Sequence, residues 1–157
     1  MKSFGAPWGK GLWTSTAIGC FVVGVPTAYQ LLNGRLLIGW LLLAVLLVPL
    51  VCTVRGYTIT ATHLEVARLG WTSRWPLAGL QSATVERGVM ARSLRTFGNG
   101  GLFAITGRFR NARLGAYRAY VTDTERTVVL RFPSLTLVVS PDNPEAFTRA
   151  ISGAQVR

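Results

Sequence analysis

Seven arginines, Arg87, Arg92, Arg95, Arg108, Arg110, Arg113 and Arg118, fall between Glu86 and Asp123 with no acidic residue among them. Phe97, Phe103, Phe109 and Tyr117 are interleaved with them, and the flexible run "GNGG" (98–101) reads as a turn. "VMARSLRTF" (89–97) has the composition for about two helical turns, with Arg92 and Arg95 on one side. So much uncompensated positive charge reads as a surface for anionic lipid headgroups, for an acidic protein partner or for nucleic acid, or as a plain solvated face. Arginines among aromatics do stack on bases, but no recognition-helix or RNA-binding signature accompanies these, so nucleic acid is disfavoured. Near an anionic leaflet each basic side chain is worth about 1 kcal/mol, so three or four reaching it together give roughly 3–4 kcal/mol. That would orient a tethered domain without holding a free one.

Other chemistry is thin. His63 is the only histidine, and Glu65, Glu86, Asp123, Glu125, Asp142 and Glu145 are scattered along the chain. They form no recognisable acid/base pair, no Ser-His-Asp or Cys-His pattern appears, and "GNGG" lacks the strand-then-helix setting and the lysine of a phosphate loop. No catalytic residue, metal ligand set or cofactor is therefore expected. Cys20 and Cys52, the only cysteines, lie in apolar runs and read as small fillers rather than a disulfide or zinc pair.

The elements that must carry the arginines follow from composition. In 157 residues, half are hydrophobic, 15% are charged, and the mean hydropathy is positive at +0.37, a pairing that points to membrane segments. The net charge of +11 comes from 17 bases and 6 acids, with Lys2 and Lys10 the only lysines, which also fits an arginine-biased genome. Residues 1–54 hold Lys2, Lys10, Arg35 and no acid, whereas 55–157 hold 14 arginines and all six acids. The expected division is a membrane segment over 1–54 and a basic domain over 55–157.

Residues 36–54 carry no charge and as a helix would be about 28 Å long, the depth of a bilayer's hydrocarbon core. Residues 12–32 are also uncharged but diluted by Thr14, Ser15, Thr16 and Gln30, and Pro26 should kink them. A cleaved signal fits poorly because apolarity continues through Val25 to Leu32, and "AIGC" (17–20) is a poor lipid-attachment box. With the tight "NGR" turn (33–35) between them, these are expected to be two antiparallel transmembrane helices, 12–32 and 36–54. Trp13, Tyr29, Trp40 and Arg55 are the candidate interfacial anchors. Bases cluster at the open end of the hairpin, so both termini are expected in the cytoplasm and the protein in the cell (inner) membrane.

Beyond Arg55 the period becomes two. Tyr57 and Ile59, then Leu64 and Val66, alternate about a turn near Ala61-Thr62, and "GWTSRWPL" and "QSATVE" continue the pattern. Val128, Leu130 and Phe132, then Leu135, Leu137 and Val139, alternate about Pro133-Ser134. This predicts an antiparallel sandwich or barrel. "SPDNPEAFTRAI" predicts a closing helix with Asn143 as N-cap, Pro144 at its first position, Phe147, Ala150 and Ile151 on one face, and Glu145 paired to Arg149.

The order of these features resembles the bacterial pleckstrin-homology-like (bPH) membrane proteins. The similarity rests on the aromatic-apolar first strand, the step from Trp75-Pro76-Leu77 to Leu80, the glycine-rich "FGNGGLFAITGRFR", and the closing Ser140 to Phe147, and it covers about residues 55–152. The resemblance implies a partly open barrel of about seven strands with a helix at its end. The basic cluster of phosphoinositide-binding members is missing, since the first hairpin turn is Ala61-Thr62-His63 with bases only at Arg55 and Arg68. Specific inositol-phosphate recognition is not expected. The functional expectation is a membrane-anchored, non-enzymatic module at the cytoplasmic face, binding a partner protein, anionic lipid headgroups or both. The alternative is a lipid sensor or membrane-organising homo-oligomer; a transporter subunit is disfavoured because neither helix carries a charge.

Overall fold

The computed structural model describes residues 1–155; residues 156–157 of the expected second domain lie outside the described part. The chain opens with a strand that the sequence does not announce. β1 (Lys2–Gly5) pairs antiparallel with β2 (Val54–Ile59), placing Phe4 opposite Tyr57. Four residues are too few to show a period, yet Phe4 meets Phe147 edge-on at 5.2 Å. A strand of one sheet therefore lies on either side of the helices.

Those helices are α1 (Lys10–Leu32) and α2 (Leu36–Val51), joined by the tight turn expected at 33–35, where Gly34 takes φ +73°. Near the turn the two pack so closely that a Cβ on Gly39 would collide with Leu31. α1 starts two residues earlier than expected, and α2 ends at Val51 rather than at 54. An apolar run carries no stop signal of its own; the fold supplies one. The carbonyls of Val51 and Thr53 accept the N–H groups of Gly70 and Leu69, and Val54 is drawn into the core. α1 is long and apolar enough to cross a membrane, whereas α2, at 16 residues, is shorter than usual for a span. Phe21, Val22, Val25, Leu37, Trp40 and Leu41 stand exposed on the pair.

β2 continues through β3 (His63–Arg68) to β4 (Thr72–Pro76), giving a sheet ordered β1-β2-β3-β4. A second sheet holds β5 (Ser82–Val85), β6 (Leu94–Gly100), β7 (Ile105–Asn111), β8 (Gly115–Val121), β9 (Val128–Arg131) and β10 (Thr136–Val139), in the order β5-β9-β10-β8-β7-β6. The two sheets do not close into a barrel. The expected domain thus holds nine strands among its described residues, β2 to β10, where about seven were expected, β1 joins them from the N-terminal segment, and β8 pairs parallel to β10, so the structure is not wholly antiparallel. The β9–β10 hairpin causes this by docking with its second strand, not its first, against β8.

The alternating positions read from the sequence do meet. Tyr57, Leu64, Val66, Leu130, Leu137 and Val139 share one core, closed by Phe147 and Ile151 of α3 (Pro144–Gln155). Asn143 caps α3, its Oδ1 accepting from the Ala146 N–H at 2.9 Å. The expected Glu145–Arg149 pair is replaced: Glu145 lies 3.7 Å from Arg87 instead, because α3 lies beside β5 and the chain that leaves it. Inside the core the Tyr57 hydroxyl donates to the Tyr120 carbonyl at 2.6 Å and accepts from the Ser140 N–H at 3.1 Å. Burial pushes this phenol up to about 12, against the opposing pull of its bonds to Ser140.

Two local expectations fail around the arginines. Residues 89–97 are not helical: Gly88 and Arg92 take positive φ, Val89 plugs the outer face of the second sheet beside Phe109 and Tyr117, and β6 starts at Leu94. Nor is "GNGG" a simple turn, because β6 runs through Gly100 and sets Gly98 opposite Gly107. Both glycines have φ beyond +100°, and a Cβ on either would strike the facing backbone. The glycines let two strands approach closely.

Candidate functional site

The inner face of the second sheet changes character along its width. Over β9 and β10 it is apolar and covered by the first sheet. Over β6, β7 and β8 it presents Phe97, Asn99, Thr106, Arg108 and Arg118, and the facing wall is the last part of α2. Val45, Val48, Pro49 and Cys52 stand there across a cleft of about 950 Å³.

Four arginines line this cleft: Arg68, Arg95, Arg108 and Arg118. Strand alternation places them. Arg108 and Arg118 are register partners on β7 and β8, so two cations project side by side from one face. Like charges directly opposite each other destabilise a sheet. Arg95 also lines the cleft, although its register partner is Phe109 of the outer face; the pairing is irregular just after it, between Arg95 and Phe97. Arg68 ends β3 at the parity of Leu64 and Val66, and its guanidinium lies 4.6 Å from the Tyr120 ring centre and 5.0 Å from that of Trp71. Its Nε is buried without a hydrogen-bond partner. Arg118 lies 5.1 Å from the Trp75 ring centre. No acidic residue lines the cleft, and none of the four arginines is ion-paired among the described residues.

Of the seven arginines singled out from sequence, the fold brings Arg95, Arg108 and Arg118 together. Arg110 shares their face two residues on, opposite Leu94, and Arg92 sits exposed in the turn before β6. Arg87 and Arg113 belong elsewhere, and they are compensated: Arg87 pairs with Glu145, and Arg113 lies 2.9 Å from Glu86. Acids remote in sequence were folded back onto them. Arg68 was missed, though an arginine at the core-facing parity of a strand was a readable signal. Of the anchors, Trp13 packs on Trp8 at 4.8 Å near the β-structure, Tyr29 and Trp40 are exposed near the hairpin tip, and Arg55 is exposed on β2.

The polar residues that dilute the first apolar run have a structural use. Ser15 donates to the Gly101 carbonyl at 2.6 Å, and Thr16 accepts the Phe103 N–H at 3.0 Å. These bonds fix α1 to the segment between β6 and β7, at one edge of the cleft. The His63 ring bonds only the neighbouring Thr62 hydroxyl while its backbone closes the β2–β3 turn with Thr60, and no cluster able to hold a metal ion exists among the described residues.

A family model described as a bacterial PH domain matches residues 55–155. No curated protein and no solved structure matches significantly. With the two sheets, the closing helix and a family match over most of its length, the chain belongs to the bacterial PH domain family.

Proposed function

We propose that the chain is a membrane-held, non-enzymatic binding module whose arginine-lined face works on anionic groups at the bilayer surface. PH-like domains are generally non-catalytic binding modules, which supports the non-enzymatic binding part of this reading. One observation carries the rest: four unpaired arginines open beside a helical pair whose large apolar side chains are exposed. Exposed apolar surface of that extent calls for a cover, and uniformly apolar helices take lipid. The helices then anchor the domain at the cytoplasmic face of the cell membrane, with Trp13 at one interface and Tyr29 and Trp40 at the other.

The test uses the full chain, with Cys20 and Cys52 replaced by alanine and a fluorophore on Arg92→Cys, in bilayers carrying nitroxide-labelled headgroups. Quenching should be stronger in anionic than in zwitterionic bilayers, and should weaken with salt. Equal quenching in both refutes the leaflet reading. A second reading, an acidic or strand-donating protein partner, is favoured by the edge position of β6, where Leu94 and Phe97 are 75% and 76% exposed.

A further inference from the structure

The cleft is more than one side of a charged face, because its two walls differ in chemistry. One wall carries Arg68, Arg95, Arg108 and Arg118, with Phe97 beside Arg108; the other is the apolar side of α2, with Val45, Val48 and Pro49. We propose that it binds one anionic phospholipid molecule drawn sideways from the bilayer, with the phosphate between Arg108, Arg118 and Arg68 and an acyl chain along Val45 and Val48. This rests on the membrane reading above and adds an occupant of defined stoichiometry.

Three features select that occupant. First, Arg108 and Arg118 oppose each other with no acid nearby, an arrangement that a shared phosphate turns from repulsive to bridged. Second, Arg68 is held between two aromatic rings with its Nε buried and unpartnered, so a donor is already stripped of water at the deep end. Third, Val45 and Val48 are themselves exposed on α2, so the apolar wall runs on into the surface proposed to face lipid. Soluble phosphate would leave that wall wet. A zwitterionic headgroup would find no carboxylate for its ammonium group, since none lines the cleft. The volume, about 950 Å³, suits a headgroup and the start of its chains. The turn of the β2–β3 hairpin (61–62) takes no part.

The experiment is native mass spectrometry of the delipidated full-length protein in neutral detergent, titrated with phosphatidylglycerol, phosphatidylcholine or inorganic phosphate. One tightly held phosphatidylglycerol per chain is expected, with phosphatidylcholine far weaker and millimolar phosphate unable to displace it. Arg108→Gln and Arg118→Gln should each weaken the adduct about tenfold, the weight of one charge-assisted hydrogen bond. Arg87→Gln and Arg113→Gln, whose side chains lie elsewhere, should not. Arg95→Gln, on an exposed side chain, provides a second variant should Arg118→Gln lose its fold. Equal adducts with both lipids, several equivalent adducts, or displacement by phosphate would overturn the proposal. If salt-sensitive quenching at residue 92 survives such a result, the leaflet reading stands and only the single-lipid site falls.

Discussion

Reversing one charge of the opposed pair should make the protein more stable while removing its response to anions. In Arg108→Glu, a carboxylate replaces the guanidinium directly across from Arg118, on adjacent strands of one sheet face. A like-charge cross-strand pair costs, and an opposite pair contributes, about 0.2–1 kcal/mol each, so reversal should stabilise by about 1 kcal/mol. For a β-domain of this size that is a rise in Tm of roughly 4–6 °C, read by tryptophan fluorescence in neutral detergent. At 1 M salt, where the Debye length is about 3 Å, most of the gain should disappear. Arg108→Gln should show roughly half the gain, since it removes repulsion without adding attraction. Arg113→Glu is the matched control. There the arginine lies 2.9 Å from Glu86, so the same reversal should lower stability by about 1 kcal/mol. The signs are opposite although both residues belong to one acid-free stretch. Loss of stability in Arg108→Glu would refute the claim that the cleft stores unpaired repulsion, and with it the reason for expecting an anion there.

Other outcomes test the framework that holds the cleft. Tyr57→Phe strands the Tyr120 carbonyl and the Ser140 N–H in the core and should cost about 1–3 kcal/mol in denaturant unfolding. The raised phenol of Tyr57 also has a pH signature: its contribution is complete below pH 10 and is lost as pH climbs toward 12, by a few kcal/mol at roughly 1.4 kcal/mol per pH unit. The Tyr57→Phe variant should lack that alkaline fall, and an identical alkaline profile would contradict the burial. Thr16→Val removes the acceptor for the Phe103 N–H and should cost about 1 kcal/mol, with faster amide exchange at 101–103. Residues 55–157 expressed alone lack β1 and its Phe4–Phe147 contact, so they should lose at least about 2 kcal/mol, restored by a peptide of residues 1–9. Folding of that fragment with unchanged Tm would show β1 to be dispensable.

Much of this fold was legible where burial writes a period. Tyr57 to Val66 and Val128 to Val139 alternate because one side of each strand meets the core, and the Asn143-Pro144 start of α3 is local chemistry. What stayed hidden was set by distant partners. The helix ends at Val51 because Gly70 and Leu69 find the carbonyls of Val51 and Thr53, and Leu94–Gly100 is extended because Gly107 lets a strand lie against it. Charge was legible as a sum but not as a site. The seven arginines look alike in sequence; folding divides them by where Glu86 and Glu145 return, and it adds Arg68 from another sheet.

The docking of α1 bears on how deep the cleft would lie in the proposed membrane setting. Ser15 and Thr16 bond to the segment between β6 and β7, and Leu102 packs so tightly on α1 that a Cβ at Gly19 would need it to move. The first ten of the 23 residues of α1 are therefore engaged with the β-structure. From Cys20 to Leu32 only about 20 Å of helix remains, and α2 is about 24 Å long, both short of a hydrocarbon core of roughly 30 Å. A hairpin that short would span only a thinned bilayer, or would draw the attached edge of the β-structure toward the headgroups. That edge carries the exposed Leu94 and Phe97 beside the unpaired arginines, the amphipathic pairing that suits headgroup depth. The same shortness that makes α2 a poor span by length would bring Arg95, Arg108 and Arg118 to the level of the lipid phosphates. Lengthening α2 by one turn of leucines before Val45 should therefore weaken headgroup quenching at residue 92 if depth matters. Unchanged quenching would mean that the arginines find their anion wherever the hairpin sits.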